Sequence, residues 1–179
     1  MDLRLAAALG TTLLLLLPGC SSSAPSSGGS GSGGAAPGQQ RLEGISGSLS
    51  VEVPEDWTSK ADAARPPVVV AAQGPDPVDQ LLVSTFAGPK EAQDNAVFAV
   101  AGLGGRGITC ERLQDSTAFG EPRLVFDCPQ EVEGTTVRRL LFPVAQEEGS
   151  ALVLLQTAGA SLADTAPVVT PVLDSLSWE

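Results

Sequence analysis

The chain has 179 residues, with 21 Asp plus Glu against 10 Lys plus Arg and a formal charge of −11. So acidic a chain is a poor nucleic-acid binder, because phosphate contacts need clustered cations. It has no histidine, which removes the usual general base, the Ser-His-Asp and Cys-His arrangements, and histidine-containing zinc sites.

In chain order, Asp2 and Arg4 precede an apolar stretch from Leu5 to Leu17. As a helix this run is roughly 20 Å long, too short for a hydrocarbon core of about 30 Å. A short apolar run ending in small residues predicts a secretory signal over residues 1–19. The next segment, 21–38, contains only Ser, Gly, Ala and Pro. It cannot bury enough apolar area to offset its ordering entropy, and is expected to be a disordered tether over 20–40. As a flexible coil it would span about 24 Å. The remaining residues, 41–179, are about 140 in number, one domain with room for a core.

Within that domain "GSLSVEVPEDW" (47–57) alternates Leu49, Val51 and Val53 with polar residues, the period of a half-buried strand, and Pro54 ends it. "PPVVVAAQ" (66–73) and "QLLVSTF" (80–86) predict two more strands around the turn "GPDPVD". The period then changes. Residues 88–105 predict a helix opened by Pro89, with Ala92, Ala96, Val97, Val100 and Ala101 on one face, stopped by Gly102, Gly104 and Gly105. Four strands follow, at 107–113, 122–128, 135–144 and 150–158, with "QEEG" (146–149) as a hairpin turn. Leu162, Ala166, Val169, Leu173 and Leu176 then mark an amphipathic helix. Pro167 suits its first turn. Pro171 implies either a kink or a shorter helix capped by Thr170. Strands joined by short turns predict the α+β class: an antiparallel sheet of about six to seven strands flanked by two helices.

Chemistry-bearing residues are few. Cys110 and Cys128 fall in adjacent predicted strands of an exported chain, which predicts a disulfide; the Cys-X-X-Cys spacing of a redox pair is absent. With three cysteines in all, that pairing leaves Cys20 over. "GLGGRG" (102–107) matches G-x-G-x-x-G, but it follows a helix and precedes a strand, the reverse of a dinucleotide site. Glu55-Asp56 and Glu147-Glu148 have no calcium-loop spacing and are read as solvated acids. Arg138 and Arg139 are strand neighbours that point to opposite faces, so one approaches the core or a cleft, where it needs a carboxylate, unless both stand at an edge or rim. In the last hairpin Leu140, Phe142, Leu152 and Leu154 share one parity, while Val137, Leu141, Val153 and Leu155 share the other. Both faces must then meet something: either a helix covers each, or one face lines a pocket for an apolar ligand or a partner, and any pocket is expected against this hairpin with Arg138 or Arg139 at its rim. No catalytic residue, cofactor or metal site is read from the sequence.

Leu17-Pro18-Gly19-Cys20 resembles the lipobox of bacterial lipoprotein precursors. The resemblance implies a diacylglycerol on the Cys20 thiol, cleavage before Cys20, and an extracytoplasmic domain held at the cell membrane. "SVEVPEDW" and the ending "LDSLSW" are similar to the actinobacterial LpqN/LpqT-like lipoproteins, whose domain is PsbP-like. That resemblance implies an α/β/α sandwich and a non-enzymatic binding or accessory module for an envelope protein or an apolar ligand. The alternatives are an envelope hydrolase using paired carboxylates and a passive surface spacer.

Overall fold

A computed structural model describes residues 35–45, 47–159 and 161–178. Cys20, the signal reading and the first part of the expected tether lie outside them. The unit that contains the described residues runs from Gly34 to Glu179. Among the described residues no helix is long and apolar enough to cross a membrane.

The folded part begins earlier than residue 41. Strand β1 (Gln39–Glu43) pairs antiparallel with β2 (Leu49–Pro54), with Leu42 opposite Val51. The Gln40 side chain donates to the carbonyls of Pro54 and Glu55 at 3.3 and 3.1 Å. Buried Leu42 gives this short strand its reason to leave solvent.

The chain continues through β3 (Thr58–Ser59), a single 3-10 turn at Ala61–Ala63, β4 (Val68–Gln73) and β5 (Gln80–Phe86). Helix α1 (Pro89–Gly104) follows, then β6 (Glu111–Ser116), β7 (Arg123–Val132), β8 (Thr135–Ala145) and β9 (Ser150–Ala158). Helix α2 (Leu162–Ser175) and β10 (Ser177–Trp178) complete it. The class is α+β, and every described strand pairing is antiparallel.

The strands form two sheets rather than one. β3-β4-β5-β9-β8-β7-β6 make a seven-stranded sheet, and β1-β2-β10 a separate three-stranded one. The strand predicted over 47–57 belongs to the small sheet. Period-two alternation fixes which side chains face inward, not which neighbour a strand pairs with.

Each face of the large sheet has its own core. On one face Leu81, Val83, Val125, Leu140, Phe142, Val153 and Leu155 pack with Leu49, Val51 and Val53 of β2 and with Val169, Val172 and Leu173 of α2. On the other, Phe126, Cys128, Leu141 and Leu152 pack with Ala96 and Leu103 of α1. The register corrects the expected parities of the last hairpin. Leu140 lies opposite Leu155 and Leu141 opposite Leu154, so even positions of β8 share a face with odd positions of β9. Both faces are apolar because both are covered.

The helices differ from expectation in detail. In α1 the inward stripe is Ala92, Ala96 and Leu103, whereas Val97 is half exposed, Ala101 is exposed and Phe98 is 80% exposed. The alanine-rich sequence hid the offset, since alanine fits either side of a helix. In α2 the predicted stripe is inward, but the cap is Ser161, with a capping box to Asp164. That early start leaves Pro167 in the second turn instead of the first and carries the helix through Pro171. Glu133 and Gly134, both at positive φ, make the tight turn between β7 and β8.

Candidate functional site

The seven-stranded sheet has two ends of opposite character, and β7 and β8 run through both.

At the first end, near the β7–β8 turn, an arginine and an aspartate meet inside the protein. Arg138 and Asp127 form an ion pair whose side chains are 12% and 8% exposed, and Arg138 Nε also donates to the Gly159 carbonyl at 3.0 Å. Arg138 lies opposite Thr157 in the β8–β9 ladder. Thr157 Oγ1 in turn donates to Asp79 Oδ1 at 2.7 Å. Burial raises the Asp79 pKa above its ordinary value; the Thr157 hydrogen bond opposes this, and the negative charge of Asp76 adds to it. A Cβ on Gly74 would collide with Asp79 and the Trp57 ring, so glycine is required there. On the other face Cys110 and Cys128 form a disulfide, S–S 2.05 Å, across 18 residues of sequence. It pins the segment after α1 to β7, with a stabilisation of about 3 kcal/mol. The glycine motif at 102–107 serves this same corner as a helix stop. Ile108 N donates to Leu103 O at 3.1 Å, and Gly107 adopts φ +79°.

Arg139 points to the α1 face. It donates to Gln130 Oε1 at 2.8 Å; burial lowers its pKa, and Arg106 lowers it further.

A cleft of about 410 Å³ at this end is lined by Gly107, Ile108, Glu111, Asp127, Pro129 and Glu131 among others. Three acids line it, Glu111, Asp127 and Glu131. Two of them are already engaged: Asp127 by Arg138, and Glu131 by the Thr136 hydroxyl. Among the described residues no three His, Cys, Asp or Glu side chains group so as to hold a metal ion.

At the second end the sheet opens. The β7–β8 ladder runs from Val132↔Thr135 to Phe126↔Leu141 and stops. Beyond it Arg123 pairs with Ser116 of β6, while Phe142 to Ala145 pair with Val153 to Ser150 of β9. A cleft of about 220 Å³ lies here, lined by Pro122, Arg123, Leu124, Phe142, Pro143, Val144 and Ala145. It shares Arg123, Val144 and Ala145 with a larger one of about 520 Å³, bordered also by Glu121, Gln146, Leu173 and Asp174. Arg123 donates to Asp174 Oδ1 at 3.0 Å, and its Nε is buried with no hydrogen-bond partner among the described residues. Phe119, in the loop between β6 and β7, is buried and stacks edge-on against Phe142 with ring centroids 5.3 Å apart. The loop is thus anchored into the core beside the point where the β7–β8 ladder ends.

Clefts therefore lie against the β8–β9 hairpin, but Arg138 and Arg139 do not line those described here. The arginine that does is Arg123, which sequence reasoning passed over. Asp127 and the Gly159 carbonyl draw Arg138 inward, and Gln130 holds Arg139. One sequence signal for the opening existed: Pro143 has no N–H for a ladder, and proline in a strand marks an edge or a bulge.

No family model matches this sequence. No curated protein matches it either. Among solved structures the fold is similar to that of a protein from Bacteroides thetaiotaomicron, with TM-score 0.49 and 10% identity, over 79% of this chain and 49% of that one. The chain thus spans about half the length of that protein. It is also similar to the cyanobacterial PsbP (CyanoP) of Synechocystis, with TM-score 0.48 and 13% identity, over 84% of this chain and 98% of that one.

Proposed function

We propose that the chain is a lipid-anchored lipoprotein of the cell membrane, facing away from the cytoplasm. Its domain serves there as a non-enzymatic binding or accessory module of the envelope. The observation that carries the reading is the cysteine balance. Cys110 and Cys128 are bonded to each other, and the chain has three cysteines, so Cys20 is left over, at the end of a lipobox-like Leu-Pro-Gly-Cys. A disulfide suits an exported protein, and thioether lipidation gives the odd thiol a use. The finer assignment, to the LpqN/LpqT-like group with a PsbP-like domain, rests on "SVEVPEDW" and "LDSLSW". In the structure these segments supply β2, which packs on α2, and the end of α2 with β10, which pairs with β2.

The binding role draws support from the open end of the sheet, where apolar and charged side chains line a groove without a nucleophile–base pair. The test is fractionation. Cys20→Ser should release the protein from the membrane fraction and remove acyl labelling, while unchanged retention would overturn the anchor. Crosslinking in native membranes, followed by isolation of the conjugates, tests the binding role.

A further inference from the structure

We propose that Arg106 and Arg139, bordered by Arg112, form a binding site for a phosphate monoester on the α1 face of the seven-stranded sheet. This deepens the binding-module reading and rests on it for the existence of a ligand, but not on the lipid anchor.

Three observations converge. The first is how charge sorts across the strands. Successive strand residues point to opposite faces. In β7 that alternation puts Phe126 and Cys128 on the α1 face and turns Asp127 and Glu131 to the other. Arg139 lies opposite Cys128, and Arg112 opposite Phe126, with its guanidinium 5.9 Å from the ring centroid. Glu111, opposite Asp127, faces away with it. Arg106 follows α1, and Leu103 and Ile108 on either side of it pack in one cluster with Phe126 and Cys128. Three arginines thus gather on a face to which β7 brings no acid.

The second is compensation. Arg123 and Arg138 each hold an aspartate. Among the described residues no ion pair involves Arg106, Arg112 or Arg139. Acids outnumber cations 21 to 10 in the chain, so an acid-free arginine cluster runs against its composition. Arg106 Nε donates to Gly102 O at 3.3 Å, where the negative end of α1 offsets part of its charge. Arg139 is half-buried, and its hydrogen-bond partner is the neutral Gln130 side chain. Burial and the nearby charge of Arg106 both work against its ionisation. An anion shared by the two guanidiniums relieves both.

The third is ligand chemistry. Each guanidinium presents several N–H donors in a planar fork, and each has one engaged, on Gln130 and on Gly102. The remaining donors suit the oxygens of phosphate or carboxylate. A phosphate monoester carries about −1.5 to −2 at neutral pH, which balances two guanidiniums. A carboxylate or a phosphodiester carries a single charge and leaves one of them uncompensated.

The test uses the full chain in nonionic detergent, with isothermal calorimetry as the readout. The probes are glycerol 3-phosphate, dimethyl phosphate, acetate, and phosphatidic acid diluted into the same micelles. Glycerol 3-phosphate should bind saturably at one site per chain, and dimethyl phosphate and acetate about tenfold more weakly or less. Arg106→Gln and Arg139→Gln should each weaken glycerol 3-phosphate by about tenfold. Arg139→Lys, which keeps the charge and loses the fork, should not restore it. Arg112→Gln should weaken it by about two- to threefold, as a cation acting from the border. Arg123→Gln, at the open end, should leave it unchanged. Arg106 is exposed, so Arg106→Gln keeps the fold and carries the test even where Arg139→Gln disturbs packing. The absence of saturable binding, equal affinity for acetate or dimethyl phosphate, or an affinity unmoved by Arg106→Gln overturns the proposal. Phosphatidic acid bound about tenfold more tightly than glycerol 3-phosphate, with the same arginine dependence, names a lipid headgroup as the source; equal or weaker binding names a soluble monoester. Membrane retention and crosslinking report on the earlier reading alone, so the two can fail separately.

Discussion

The two ends of the seven-stranded sheet are built from the same parts and reach opposite outcomes. Each has an Arg–Asp pair and a tryptophan seated on a glycine. At the β7–β8 turn end the pair is Arg138–Asp127, and Trp57 closes on Gly74. At the other end the pair is Arg123–Asp174, and Trp178 closes on Gly149, where a Cβ would collide with the indole. The first pair is buried on both sides. In the second, Asp174 is 57% exposed. The difference follows from the strands. Where β7 and β8 stay paired, a long side chain from one must find its partner inside the sheet's own cover. Beyond the end of their ladder, the same chemistry lines a cleft. Buried charge then serves the fold, and half-exposed charge is available to a partner.

The largest expected effect tests the shut end. Removing one member of a buried pair strands the other without compensation and costs about 3–5 kcal/mol. Arg138→Met or Asp127→Asn should lower the urea midpoint accordingly, with an unchanged slope. Replacing both, as Arg138→Met with Asp127→Leu, should recover most of that loss, because apolar side chains need no partner there. A single variant as stable as the parent would show that this pair is not what holds the end closed.

The open end should respond much less. Arg123→Met loses an ion pair with a solvated partner, worth about 1 kcal/mol or less. A loss comparable to that of Arg138→Met would erase the distinction between the two ends.

How far the sequence foretold this arrangement depends on what each feature needs. β5 and β9 were legible to the residue, because an apolar run between turn residues is a local signal. The disulfide was legible from compartment and strand adjacency. So was the demand that one of Arg138 and Arg139 find a carboxylate, though not that Asp127, reached diagonally across β7, would supply it. β1 was not legible: "QQRLE" has a single apolar residue, and its pairing is dictated by β2. The groove was least legible of all. "PRLVFDC" and "TTVRRLLFPV" both read as unbroken strands, although their ladder stops at Leu141. The ladder ends just before Pro143, which has no N–H to continue it, and Phe119 is brought in by a loop to pack against Phe142 beside it. Pro143 was the one mark of it in the sequence.

The smallest effect concerns Asp79, which links the shut end to pH. Its carboxyl is partly withdrawn from water, and that burial is the main reason its pKa is raised, with Asp76 and Asp56 adding negative charge nearby. Hydrogen bonds from Thr157 and from the Ala158 backbone favour the ionised form but do not offset burial fully. In the unfolded chain the group titrates near about 3.9. Above that value the unfolded state has already released the proton that the folded state still holds. The folded state therefore binds more protons in this window, and linkage makes stability fall as pH rises through it. Below the window both states are protonated and the contribution is fully favourable; above the folded value the loss is complete and constant. Asp79→Asn keeps an acceptor for Thr157 and removes the titration. The difference in unfolding free energy, parent minus variant, should therefore decline as pH rises through and above the ordinary aspartate range, then level off. A difference that stays flat, or that rises with pH, would mean that Asp79 is solvated like the acids of the open groove, and that the shut end is less closed than its geometry indicates.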